Sequence, residues 1–138
     1  MDIDVRGPRF GAAVTALVLA AVLVTGSDLL LVWQTLCFAA GAALGVQRTP
    51  YGLLYRTAVR PRIAPPTDVE SPAAPRFAQA VGLAFAALGL IGQLWGPGWL
   101  GLAAVGCALG AAFLNATFGY CLGCELFLLL RRTMTVSR

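Results

Sequence analysis

Four uncharged apolar runs, Phe10 to Gly26, Leu29 to Val46, Phe77 to Trp95 and Gly98 to Phe118, alternate with short stretches that hold every charged residue of the chain. A helix needs about 20 residues to cross a hydrocarbon core, with roughly 17 as the lower limit. Each run meets that limit, so the pattern predicts an all-α integral membrane protein, a four-transmembrane-helix bundle with spans at about 10–26, 29–46, 77–95 and 98–118. Gly26-Ser27-Asp28 and Gly96-Pro97-Gly98 are turn sequences that fold the runs into two hairpins. Trp95 and Trp99 flank the second turn, where an amphipathic ring suits the headgroup region.

The stretch from Thr49 to Ile63 is patterned differently. Leu53, Leu54, Ala58 and Val59 can share a lipid-facing side while Arg56 and Arg60, four apart, share the other, which predicts an interfacial helix over about 50–60. Pro61, Pro65, Pro66, Pro72 and Pro75 then predict an extended, proline-rich linker over 61–75. A second interfacial helix is expected over about 120–131. The halves also echo each other: Pro8-Arg9-Phe10 recurs as Pro75-Arg76-Phe77, and Tyr51-Gly52 as Phe118-Gly119, both 67 residues on. The offset suggests a parallel internal repeat of span, span and interfacial helix within one membrane domain covering 1–138. Gly41 and Gly45, and Gly106 and Gly110, form GxxxG pairs that permit close helix contact and a homo-oligomer, although a glycine- and alanine-rich chain also scatters such pairs by chance.

Composition agrees with a bilayer as solvent, since 59% of the 138 residues are apolar and 12% charged. The net charge of +4 does not indicate nucleic acid, because all ten basic residues are arginines beside apolar runs, without a basic stripe interleaved with aromatics. Two arginines precede the first run, five lie between the second and third, three follow the fourth, and neither turn has any. The positive-inside rule then puts both termini and the long loop in the cytoplasm, as for a multi-pass protein of the bacterial inner membrane. Leu23 to Ser27 lacks a small-x-small cleavage site, so the first helix is expected to be retained. With no histidine or lysine, the chain excludes Ser-His-Asp triads, histidine metal sites, P-loops and Schiff-base chemistry.

After the fourth run the sequence reads Phe118-Gly119-Tyr120-Cys121-Leu122-Gly123-Cys124-Glu125. Two cysteines at this spacing on a helical turn can form a disulfide or pass a sulfur, and the unpaired N–H groups of a helix start acidify a thiol there. Cys121 is the expected attacking thiol and Cys124 the resolving one. Glu125 can accept a thiol proton, or pair with Arg131, Arg132 or Arg56 at the membrane surface. Arg56 and Arg60 can hold an anionic sulfur species or an acidic partner, or serve only as headgroup anchors. One such cysteine pair supplies only two ligands, so neither a metal nor a cofactor is expected. Cys37 and Cys107 fall within apolar runs and read as small apolar residues.

Arg6-Gly7-Pro8-Arg9-Phe10, the four runs and the C-terminal C-x-G-C resemble the bacterial membrane proteins catalogued as domain of unknown function 4395. The resemblance covers essentially the whole chain, and the family's association with sulfurtransferases and thioredoxin-like proteins implies thiol or sulfur traffic. The expected function is a cytoplasm-facing membrane thiol protein exchanging disulfide or persulfide sulfur with a soluble partner of that kind, a thiol-disulfide or sulfur-relay oxidoreductase if it is an enzyme. Two alternatives stay open: a small sulfur-anion transporter, which the lack of intramembrane charge disfavours, and a non-catalytic membrane anchor for a sulfur enzyme.

Overall fold

The computed structural model describes residues 3–4, 6–62, 69–70, 73–118 and 122–136. Six α-helices are found among them: α1 (Arg6–Thr25), α2 (Asp28–Leu44), α3 (Pro50–Leu54), α4 (Ala73–Trp95), α5 (Gly98–Phe118) and α6 (Leu122–Val136). Two strands of two residues each, β1 (Ile3–Asp4) and β2 (Val69–Glu70), pair antiparallel, Ile3 with Glu70 and Asp4 with Val69.

Among the described residues, three helices are long and apolar enough to cross a membrane, Arg6–Thr25, Pro75–Trp95 within α4, and Gly98–Phe118. The protein is therefore a multi-span membrane protein, and the expected four-transmembrane-helix bundle is corrected to three long spans and one shorter apolar helix. That helix, α2, has 17 residues. At 1.5 Å per residue it reaches roughly 25 Å, short of the hydrocarbon core of about 30 Å. The uncharged run continues to Val46, but Gly45 adopts φ +100, which ends the helix at Leu44 and hands the chain to a 3₁₀ turn at Val46–Arg48. The expected unit of span, span and interfacial helix fails with it: α2 is shorter than α5 with its 21 residues, and α3 has five residues where α6 has 15.

The helix ends follow from sequence. Gly26 and Gly96 adopt φ 70 and 74, and their N–H groups close the preceding helices onto the carbonyls of Val22 and Gly92. Ser27 caps α2 through its hydroxyl, which accepts from the Leu30 N–H, and Asp28 adds a negative charge to the first turn.

Packing follows the second hairpin but not the first. α1 lies most extensively against α5, and α2 against α4, with α4 against α5 between them. Leu19 and Val22 of α1, Leu31 and Phe38 of α2, Ala86 of α4, and Val105 and Ala108 of α5 meet in one core. Leu17, Leu36, Leu88, Ile91, Leu102 and Phe113 face outward, as apolar side chains do in lipid. Close approach comes from glycines of α4 and α5. A Cβ on Gly82 would stand 2.6 Å from Phe38 Cε1, one on Gly89 2.9 Å from Val105 Cγ2, and one on Gly92 2.8 Å from Gly101 Cα. Gly41 lies under the Gln79 side chain, whereas Gly106 and Gly110 have open space around them.

Two arginines bind across the bundle. Arg9 of α1 donates to the Ala116 carbonyl near the end of α5, at 3.3 Å. Arg76 of α4 donates to the carbonyls of Ala42 (3.1 Å) and Ala43 (2.9 Å) at the end of α2. Each guanidinium thus satisfies carbonyls that a helix C-terminus leaves open, and meets the negative end of the helix dipole. Both are the arginines of the recurring Pro-Arg-Phe triplets. Their bonds hold the starts of α1 and α4 beside the ends of α5 and α2, gathering these arginines at one end of the bundle.

Candidate functional site

α6 starts at Leu122 and packs along α4 at the arginine-bearing end. Its contact begins at Gly123, where a Cβ would stand 2.6 Å from Ala78 Cβ, and continues through Phe127, whose ring centroid lies 5.5 Å from that of Phe77. Only glycine at 123 lets the first turn of α6 sit this close to α4. Arg131 stacks over the Phe127 ring at 5.7 Å. Leu126, Leu128, Leu129 and Leu130 are exposed along the rest of the helix.

Of the predicted site residues, Cys124 belongs to the first turn of α6, and its side chain lies outside the described residues, as does Cys121 entirely. The resemblance carried two expectations, four spans and a C-terminal C-x-G-C thiol pair. The first is corrected above, and for the second no such pair is found among the described residues, whose free cysteines are Cys37 and Cys107. Glu125 is exposed in the first turn of α6, where a carboxylate favours the helix dipole. Arg56 is exposed in the π turn Tyr55–Val59 that follows α3; Arg60 opens the 3₁₀ turn Arg60–Arg62, its side chain outside the described residues. No group of three or more His, Cys, Asp or Glu that could hold a metal is found among the described residues.

The segment carrying Arg56 is anchored by residues the sequence reading passed over. Thr49 caps α3 by accepting from the Gly52 N–H, with Pro50 at the first helical position where its missing N–H costs nothing. Tyr55 is buried against Phe10, ring centroids 5.8 Å apart, with Gly7 beneath its ring. One turn earlier, Tyr51 reaches inside the bundle. Its hydroxyl accepts from Trp33 Nε1 at 3.0 Å and donates to Gln34 Oε1 at 2.7 Å, and Gln34 Nε2 donates to Thr15 Oγ1 at 3.4 Å. Gln34 is 1% exposed, Cys37 3% and Thr15 6%. Burial pushes the Tyr51 phenol above its ordinary range, so it keeps its proton for Gln34 at physiological pH.

These side chains line a cavity together with Gly7, Gly11, Thr49 and Gln79. Its lining draws on the start of α1, the start of α4 and the α2–α3 connection, which puts it toward the arginine-bearing end. Gln34 was a visible signal: an amide in an otherwise apolar run requires a partner. The partner, Tyr51, is remote in sequence and nothing local marks it. Residues 3–132 match a family model described as Domain of unknown function (DUF4395). No curated protein and no solved structure matches the chain.

Proposed function

The chain belongs to the DUF4395 family, and from that premise we propose that it is a membrane thiol protein exchanging disulfide or persulfide sulfur with a soluble thioredoxin-like or sulfurtransferase partner. The observation that supports this reading is the start of α6. Cys124 belongs to its first turn, outside the apolar stretches, at the end of the bundle where Arg9 and Arg76 gather. Unpaired N–H groups at a helix start favour a thiolate over a thiol. In the exchange, the Cys121 thiolate attacks a partner disulfide, forming a mixed disulfide and releasing one partner thiolate. Cys124 then attacks Cys121, its proton taken up by Glu125 or water. The partner leaves fully reduced, and Cys121 and Cys124 become a disulfide, so two electrons have passed to the partner. Arg56 and Arg60 supply planar charged forks for an acidic partner surface or an anionic sulfur species. The arginine-bearing end faces the cytoplasm of the bacterial inner membrane, because arginines flanking short loops stay inside.

Two experiments test the two halves of this reading. In cells, Cys124→Ser is expected to accumulate a mixed disulfide on Cys121 that mass spectrometry identifies, and Cys121→Ser to accumulate none; absence of any adduct in both would remove the exchange. For orientation, in a background without native cysteines, a cysteine at Gly98 should react with a membrane-impermeant maleimide in intact cells and one at Thr57 only after lysis. Labelling of the Thr57 position in intact cells would reverse the orientation.

A further inference from the structure

The cavity beside Cys37 has polar walls that the thiol chemistry at α6 does not use. Its volume is ≈ 20 Å³, just above the roughly 10–15 Å³ that one water requires. Thr15, Gln34 and Thr49 are the buried polar residues among those described, and all three line it. Burying an amide and two hydroxyls in a membrane bundle costs free energy unless their hydrogen-bonding capacity is used. The network among them leaves capacity over. A primary amide carries two N–H donors, of which Gln34 spends one on Thr15, over a long 3.4 Å bond. The Thr15 hydroxyl brings its own proton, and the sulfur of Cys37 is a weak acceptor. No charged residue lines the cavity to balance an ion, which favours an uncharged occupant.

We propose that this cavity is a binding site for one water, or one uncharged hydrogen-bonding molecule of the same size, held by Thr15, Gln34 and Cys37 and reached from the arginine-bearing end. Cys37 is then a thiol apart from the pair at α6, enclosed against ordinary thiol reagents yet in contact with solvent-sized molecules. The site is independent of Cys121 and Cys124.

The test uses the full chain reconstituted in lipid bilayers with Cys107, Cys121 and Cys124 replaced by serine, so that Cys37 alone gives an S–H stretching band in the infrared. On transfer to D2O the band should convert to S–D at least tenfold faster than in the same protein carrying Thr15→Leu, which fills the cavity. Gly11→Ala is the gentler filling variant, because its new methyl would meet nothing nearer than Tyr51 Cβ at 4.0 Å; it should slow exchange in the same direction. N-ethylmaleimide should leave Cys37 unmodified while labelling a single cysteine placed at the exposed Thr57, outside the spans, at least a hundredfold faster. Exchange that is slow in the unfilled protein, or fast and unaffected by Gly11→Ala, would overturn the water site. Maleimide labelling of Cys37 at the rate of the cysteine at position 57 would overturn the enclosure.

Discussion

Gly92→Val is expected to lower the unfolding free energy of the purified protein in detergent by about 3 kcal/mol, the upper part of the range for overpacking a close contact. A Cβ at position 92 would press on the backbone N and Cα of Gly101, with the Leu100 carbonyl carbon at 3.0 Å. Backbone cannot swing aside as a side chain does, so α4 and α5 must separate along this stretch. In lipid the separation is not offset by hydrophobic burial, since the acyl chains that replace the lost contact are as apolar as the helices. Gly106→Val is the control, because no atom lies within 4 Å of a Cβ built there; its effect should stay within about 0.5 kcal/mol. Equal losses at the two positions would show that valine acts on the helix and not on the contact.

Tyr51→Phe should cost about 2 kcal/mol, the penalty for leaving buried polar groups without partners. The substitution keeps the ring and removes one oxygen, but that oxygen serves Trp33 and Gln34 together. A spectroscopic readout isolates the local event. With Trp95 and Trp99 replaced by phenylalanine, Trp33 is the remaining tryptophan, and loss of its hydrogen bond should shift its emission to the blue. Unchanged emission and stability would mean that the two partners find other groups. The native phenol carries a folded-state pKa above its ordinary value of about 10. Its contribution to stability is therefore constant through neutral pH, declines once pH rises past about 10, where the unfolded phenol ionises, and is lost by the time the folded phenol ionises in turn.

The membrane character was legible because apolar runs and charges segregate completely, and the glycines at 26 and 96 marked the ends of their helices. The length of α2 was not legible: residues 45 and 46 extend the uncharged run without extending the helix, and only the backbone conformation of Gly45 separates the two. The contact glycines were misread for a similar reason. The GxxxG pattern picked Gly41, which does lie against Gln79, but also Gly106 and Gly110, which face open space, and passed over Gly82, Gly89, Gly92 and Gly101, which carry contacts. Which face of a helix meets a neighbour depends on pairing that is remote in sequence. At the candidate site, the cysteines near α6 stood out as reactive groups in a chain with few. Cys37 did not, because its neighbours Tyr51 and Thr15 reach it from other helices.

The cross-bundle arginine bonds bear on the order in which the protein can assemble. Arg9 waits for a carbonyl 107 residues further along the chain, whereas Arg76 binds one 34 residues behind it. During synthesis α1 and α2 therefore enter the bilayer as sequence neighbours without their principal partners. As α4 arrives it finds α2 in place, and Arg76 can close onto Ala42 and Ala43 at once. The face of α1 that receives α5 stays lipid-covered until almost the last helix is made, and Arg9 meanwhile has only headgroups and water to satisfy it. A chain ending before α5 would leave that face permanently bare, so the first half of this molecule is not a smaller version of the whole.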